Sequence, residues 1–167
     1  MTTQQRIFNL SPGEGRTVLA GMDMVTFKMT DRESGGKYSI FEITTPPQSG
    51  PPPTLHTHPP QETFYTLEGE YEIYGLAADG PYTIKATPGS MIYIPAGVPH
   101  SYRNAGDVLA RALLVFSPAG MEQFFAESGT PVVDKANPPV LEEPIDMNRF
   151  IAICHKYQIE FVAPTTD

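Results

Sequence analysis

Two histidines one residue apart, His56 and His58, open the stretch His56-Thr57-His58-Pro59-Pro60-Gln61-Glu62, which ends on a carboxylate. A third, His100, follows in Pro95-Ala96-Gly97-Val98-Pro99-His100-Ser101-Tyr102-Arg103-Asn104. The chain has only four histidines, so three of them fall in two short segments. Successive side chains of an extended strand alternate faces, which points His56 and His58 the same way. Three imidazoles and one carboxylate make a nitrogen/oxygen donor set of the kind divalent first-row metals take. Against that stands the plainer alternative that each is an ordinary polar or core histidine. Residue types alone leave the two readings level, and the frame around them carries the weight.

That frame is spaced in a particular way. Gly50, five residues, His56, one, His58, three, Glu62, six and Gly69 form one segment. Gly89, five residues, Pro95, one, Gly97, two, His100, three and Asn104 form the other. Both spacings resemble the two sequence motifs of the cupins, with every fixed position present. The flanks Phe116–Phe125 and Tyr157–Pro164 are similar to the cupins of the quercetin dioxygenase type. The resemblance implies an all-β fold, a double-stranded β-helix (jelly-roll) cupin barrel with short C-terminal α-helices. It implies His56, His58, Glu62 and His100 as ligands of one divalent transition metal, with Fe, Mn, Ni, Co, Cu and Zn indistinguishable. It also implies a homodimer, which the apolar C-terminal tail would suit.

The elements that must position these residues are legible as short runs between turn residues. With 167 residues the chain suits one domain, residues 1–167, able to bury about 70% of its unfolded surface. Eighteen prolines and 14 glycines point to many turns. Strands are expected at 6–10, 17–20, 22–29, 37–45, 82–86, 91–94, 99–103 and 109–116. Residues 62–67 and 70–74 read as a hairpin about Glu68-Gly69, and Pro46 to Pro53 as the loop that delivers the chain to the histidines. The barrel core then covers about 17–117 and a helical extension about 118–167. In the extension, residues 120–129 read as a helix with Phe124 and Phe125 inward. Residues 130–144 read as an extended loop. Asp146 is expected to cap a last helix with Met147, Phe150, Ile151 and Cys154 as its apolar face.

Composition narrows the partners. A net charge of −8 opposes binding to nucleic acid or anionic lipid. No apolar run approaches the roughly 18 residues of a membrane span, and the polar start Met1–Arg6 leads into no signal-type core. The single cysteine, Cys154, cannot form an internal bridge, which suits a cytoplasmic protein. His155 reads as a solvated helix-end residue.

A divalent metal with one carboxylate leaves a centre of net +1 that attracts an enolate, a phenolate or reduced dioxygen. Strand parity nominates Phe64, Met91, Tyr93 and Tyr102 as substrate contacts, the alternative being plain core packing. Such a lining suits a flat aromatic small-molecule substrate. Glu62 could serve as both ligand and catalytic base. Three functions remain: a quercetin dioxygenase-type oxygenase, which the resemblance favours; a metal-assisted isomerase or lyase; and a small-ligand sensing module.

Overall fold

Alternating side chains build the architecture. In chain order the elements are β1 (Thr17–Ala20), β2 (Asp23–Met29), α1 (Asp31–Ser34), β3 (Ser39–Thr45), β4 (His56–Thr57), β5 (Gln61–Glu68), β6 (Tyr71–Ala77) and β7 (Gly80–Ala86). They continue with β8 (Met91–Ile94), β9 (His100–Asn104), β10 (Ala110–Ser117), α2 (Met121–Ser128), β11 (Thr130–Val132), α3 (Met147–Lys156) and β12 (Glu160–Phe161). The computed structural model describes residues 7–51, 54–140 and 145–162. The polar start 1–6, Pro52 and Pro53 of the pre-histidine loop, residues 141–144 of the later loop and the tail after 162 lie outside the described residues.

The strands form two antiparallel sheets. One has seven strands in the order β11-β1-β2-β3-β10-β5-β8, the other five in the order β12-β4-β9-β6-β7. This is the double-sheet jelly roll, with the sheets facing each other and, among the described residues, sharing no ladder that would close them into one barrel. The period of two is plain in β3, where Ser39, Phe41, Ile43 and Thr45 are buried and the residues between them are not. It recurs in β10, where Ala110, Ala112, Leu114 and Phe116 face in. Between the sheets Phe41, fully buried, meets the ring edges of Phe27, Phe116 and Phe125 at centroid distances of 5.2, 5.9 and 5.0 Å. Such edge-to-face contacts add to the burial of large apolar area.

Several local expectations give way to tertiary pairing. Residues 62–67 and 70–74 are not a hairpin: β5 pairs with β10 and β8, β6 with β7 and β9. The chain changes sheet at Gly69, which takes φ 75° and whose missing Cβ would stand 2.6 Å from that of Ala110. A turn signal marks a reversal, but which neighbour each strand then pairs with is settled by the other sheet. The expected first strand is absent from Ile7–Leu10. The stretch after α2 is not all loop, since β11 pairs with β1. Asp146 does cap α3, its side chain accepting the Asn148 and Arg149 amides at 3.0 and 3.1 Å. The buried face of α3 is rotated, however: Ile153 and Cys154 are buried and Phe150 packs partly, whereas Met147 and Ile151 remain exposed. Among the described residues no helix is long and apolar enough to cross a membrane.

Candidate metal centre

The two sheets bring the histidine segments together. His56 lies on β4 directly opposite His100 of β9. His58 follows β4, where its carbonyl accepts the Gly97 amide at 3.0 Å and ties the two motif segments together. Gly50 permits the approach, because a Cβ there would sit 2.7 Å from the Tyr102 carbonyl oxygen. Glu62 arrives from the other sheet, on β5 opposite Phe116 and Ile94. His58, Glu62 and His100 are each buried, and His56 is half-buried. The His100 ring lies 4.6 Å from that of His56 and 4.8 Å from that of His58, and Phe116 presents its ring to His58 at 5.4 Å.

The hydrogen bonds set the tautomers. His58 Nδ1 lies 2.8 Å from the Pro60 carbonyl and His100 Nδ1 2.8 Å from the Val98 carbonyl. A carbonyl only accepts, so each Nδ1 carries the proton and each neutral ring turns a bare Nε2 inward. Those Nε2 atoms stand 3.2 Å apart, and Glu62 Oε2 lies 3.1 Å from His58 Nε2 and 3.3 Å from His100 Nε2. Three acceptors at such distances need a positive species between them, either a proton or a metal ion. The candidate ligand atoms of His56, His58 and His100 all fall within 4.8 Å of one another. The donor set therefore fits a divalent metal, with backbone carbonyls orienting two of the imidazoles from behind.

Electrostatics agree with a ligand set. Burial pushes His56 down to about 3, helped by the neighbouring imidazoles His100 and His58, so it stays neutral at ordinary pH. Burial alone would raise the Glu62 carboxyl, but the hydrogen bonds of His100 and His58 outweigh it and hold it at about 2. Burial works against a charged His100, yet the Glu62 carboxylate raises its pKa above the usual histidine value. Glu62 is thus an ionised donor and, at about 2, a weak proton acceptor in the metal-free site.

The centre opens onto a cavity of about 550 Å³. Its walls include Leu114 and Phe116 of the core, Phe124 and Phe125 of α2, and Phe150 and Ile153 of α3. Of the expected substrate contacts, Tyr102 lines this cavity. Phe64 points inward but lies beneath it, packed on Tyr71 and Tyr102 at 5.0 and 5.5 Å. Met91 and Tyr93 do not face the cavity. They pair with Tyr65 and Thr63 and stand on the outer face of the seven-stranded sheet, 68% and 54% exposed. Parity had correctly put the two on one face of β8, but it is the partner strand that turns that face outward. His155 is exposed, away from the other three histidines.

Sequence reasoning missed Asp23, which lines the same cavity. Its parity with the inward Val25 and Phe27 was the available signal. Asp23 Oδ2 accepts the Tyr102 hydroxyl at 2.5 Å, and among the described residues Oδ1 has no partner in hydrogen-bond geometry. Burial raises its carboxyl to about 6, against the pull of the Tyr102 and Thr45 hydroxyls. Burial and the Asp23 carboxylate hold the Tyr102 phenol well above its usual range.

Comparison with known proteins places this arrangement. The family described as Cupin domain matches residues 41–116. Quercetin 2,3-dioxygenase of Bacillus subtilis (strain 168) is 29% identical over 123 residues, which is 73% of this chain and 34% of that protein. The chain thus spans about a third of the length of that relative. Among solved structures, a variant of Bacillus subtilis oxalate decarboxylase aligns at a TM-score of 0.59 and 23% identity, over 78% of this chain and 34% of that one. An oxalate oxidase in complex with the substrate analogue glycolate aligns at 0.54 and 20% identity, over 66% and 59%. At these identities the two structures show the shared fold.

Proposed function

We propose that the chain is a cupin, its residues 41–116 matching the Cupin domain family, and that it is a metal-dependent dioxygenase acting on a small aromatic or enol-bearing substrate. The observation that carries the reading is the convergence of two bare imidazole nitrogens and an ionised carboxylate, with His56 alongside, on the wall of an aromatic cavity. The similarity to a quercetin 2,3-dioxygenase supports the substrate class. His56, His58, Glu62 and His100 would hold one divalent transition metal, and Fe, Mn, Ni, Co, Cu and Zn all accept such donors. When bound, the metal supplies a Lewis acid that polarises a substrate oxygen.

The chain's own residues do the rest. The Pro60 and Val98 carbonyls hold His58 and His100 in the ligating tautomer. Phe116, Phe124, Phe125 and Phe150 give a flat substrate apolar walls and keep water from the reacting oxygen. Glu62 lends one negative charge to the donor set; its low pKa favours that work over proton abstraction. Residues 1–167 are read as one cupin domain whose C-terminal helices help to wall the cavity. A homodimer fits the exposed outer stripe of Tyr65, Met91 and Tyr93.

The test is oxygen-electrode kinetics on protein reconstituted separately with each metal, against a panel of flavonols and diketones. Oxygen uptake with at least one pairing, lost in His100→Ala, is the expected result. Full metal loading and ligand binding with no uptake in any pairing would overturn the dioxygenase reading in favour of a sensing module.

A further inference from the structure

Beyond the donor set, the cavity lining includes a tyrosine–carboxylate pair, Tyr102 and Asp23. Tyr102 stands two residues along β9 from His100, on the same face, roughly 7 Å further down the strand. It is half-buried, and among the described residues its hydroxyl donates to Asp23 Oδ2, a carboxylate delivered from β2 of the opposite sheet. Asp23 is itself only 4% exposed. Behind it, Tyr71 donates to Thr45 Oγ at 3.1 Å, in a fully buried part of the core. A phenolic hydroxyl has one proton to give and lone pairs to receive. With that proton directed at Asp23, what Tyr102 has left to offer the cavity is an acceptor.

We propose that Asp23 is a positioning residue that makes the Tyr102 hydroxyl a hydrogen-bond acceptor toward the cavity, so that the chamber selects ligands carrying a free hydroxyl at that point over the same ligands with a carbonyl or methoxy group. The inference rests on the reading of this cavity as the ligand chamber, and it adds a specificity element away from the metal. A ligand O–H would extend the chain from ligand to Tyr102 to Asp23, and hydrogen bonds in such a chain strengthen one another. A methoxy oxygen would meet the Tyr102 oxygen with two acceptors face to face, leaving a polar contact unmade in a dry site.

The feature can be tested with probes that need no turnover. Phenol and anisole share a ring and differ in the donor. Each is titrated into the metal-loaded protein near pH 8, labelled at its methionine methyls. Met121 and Met22, which both line the cavity, report binding by their shifts. Wild type is expected to bind phenol about tenfold more tightly than anisole, the effect of one hydrogen bond to a charge-backed partner. Tyr102→Phe should bring the two affinities together. Asp23→Asn should reduce or invert the ratio, because the amide can donate to Tyr102 and turn its O–H into the cavity. A preference that came from phenol coordinating the metal would persist in Tyr102→Phe and would overturn the proposal. Equal binding by wild type, or no shift at either methionine, would do the same. The ratio within each variant is the readout, so a loss of overall affinity from loosened packing does not mimic it. Should Asp23→Asn fail to fold, Tyr102→Phe still decides. Because no oxygen is consumed, a protein inactive on every flavonol can pass this test, and an active dioxygenase can fail it.

Discussion

Metal binding should release one proton, not three, and the geometry says why. In the metal-free site the His58 and His100 Nδ1 protons are committed to the Pro60 and Val98 carbonyls. Their Nε2 atoms, 3.2 Å apart, share the remaining space with Glu62 Oε2. One proton fits between these acceptors; two N–H groups aimed at each other across that gap do not. His56, held down to about 3, stays neutral. The proton belongs to the pair with Glu62, whose carboxylate raises His100 above the ordinary value near 6.5. Below that raised pKa the metal must displace the proton, so affinity falls about tenfold, or about 1.4 kcal/mol, per pH unit. Above it, affinity is flat. The loss accumulates at that slope below the raised pKa, and the stabilisation that saturating metal gives the fold shrinks with it. The assay is calorimetric titration of metal near pH 6 in buffers of different ionisation enthalpy, where the slope counts protons. Three independent histidines of ordinary pKa would release about two or more at that pH. A count of two or more, or a count of zero, would refute the shared-proton geometry.

The remaining predictions follow from the same placements. His56→Ala and His100→Ala should each abolish stoichiometric metal, while the exposed His155→Ala leaves it unchanged; elemental analysis of purified variants checks this. Met91→Ser and Tyr93→Ser should leave ligand binding in the cavity unaltered, since both side chains lie outside the sheet sandwich, and a loss of binding measured by methionine methyl shifts would contradict that placement. Asp23 has its carboxyl raised to about 6 from 3.8, so its neutral form is favoured by the fold. The stability it contributes is fully present below the unfolded value and lost as pH rises through about 6, up to about 3 kcal/mol across the shift. Denaturant titrations of wild type and Asp23→Asn should therefore diverge in wild type's favour on acidification from about pH 8 to 4, and parallel curves would count against it.

The sequence by itself determined what depends on local repeat and local spacing. The two ligand segments are readable because a strand returns a side chain to one face every second residue, which puts His56 with His58 and His100 with Tyr102 in this sequence. The Asp146 cap of α3 is readable because a carboxylate reaches amides two and three residues on. The alternation in β3 and β10 is readable for the same reason. Parity, however, names two faces without saying which one is inside. Only the pairing of β8 with β5 turned Met91 and Tyr93 outward, and only the crossing from β4 in the five-stranded sheet to β5 in the seven-stranded one set Glu62 on the opposite wall from the histidines. Asp23 meets Tyr102 across 79 positions of chain, a separation over which no local signal carries. The shifted acidities of Asp23, His56 and Glu62 belong to the tertiary structure as well, since desolvation and charge proximity exist only once the two sheets have closed over these groups.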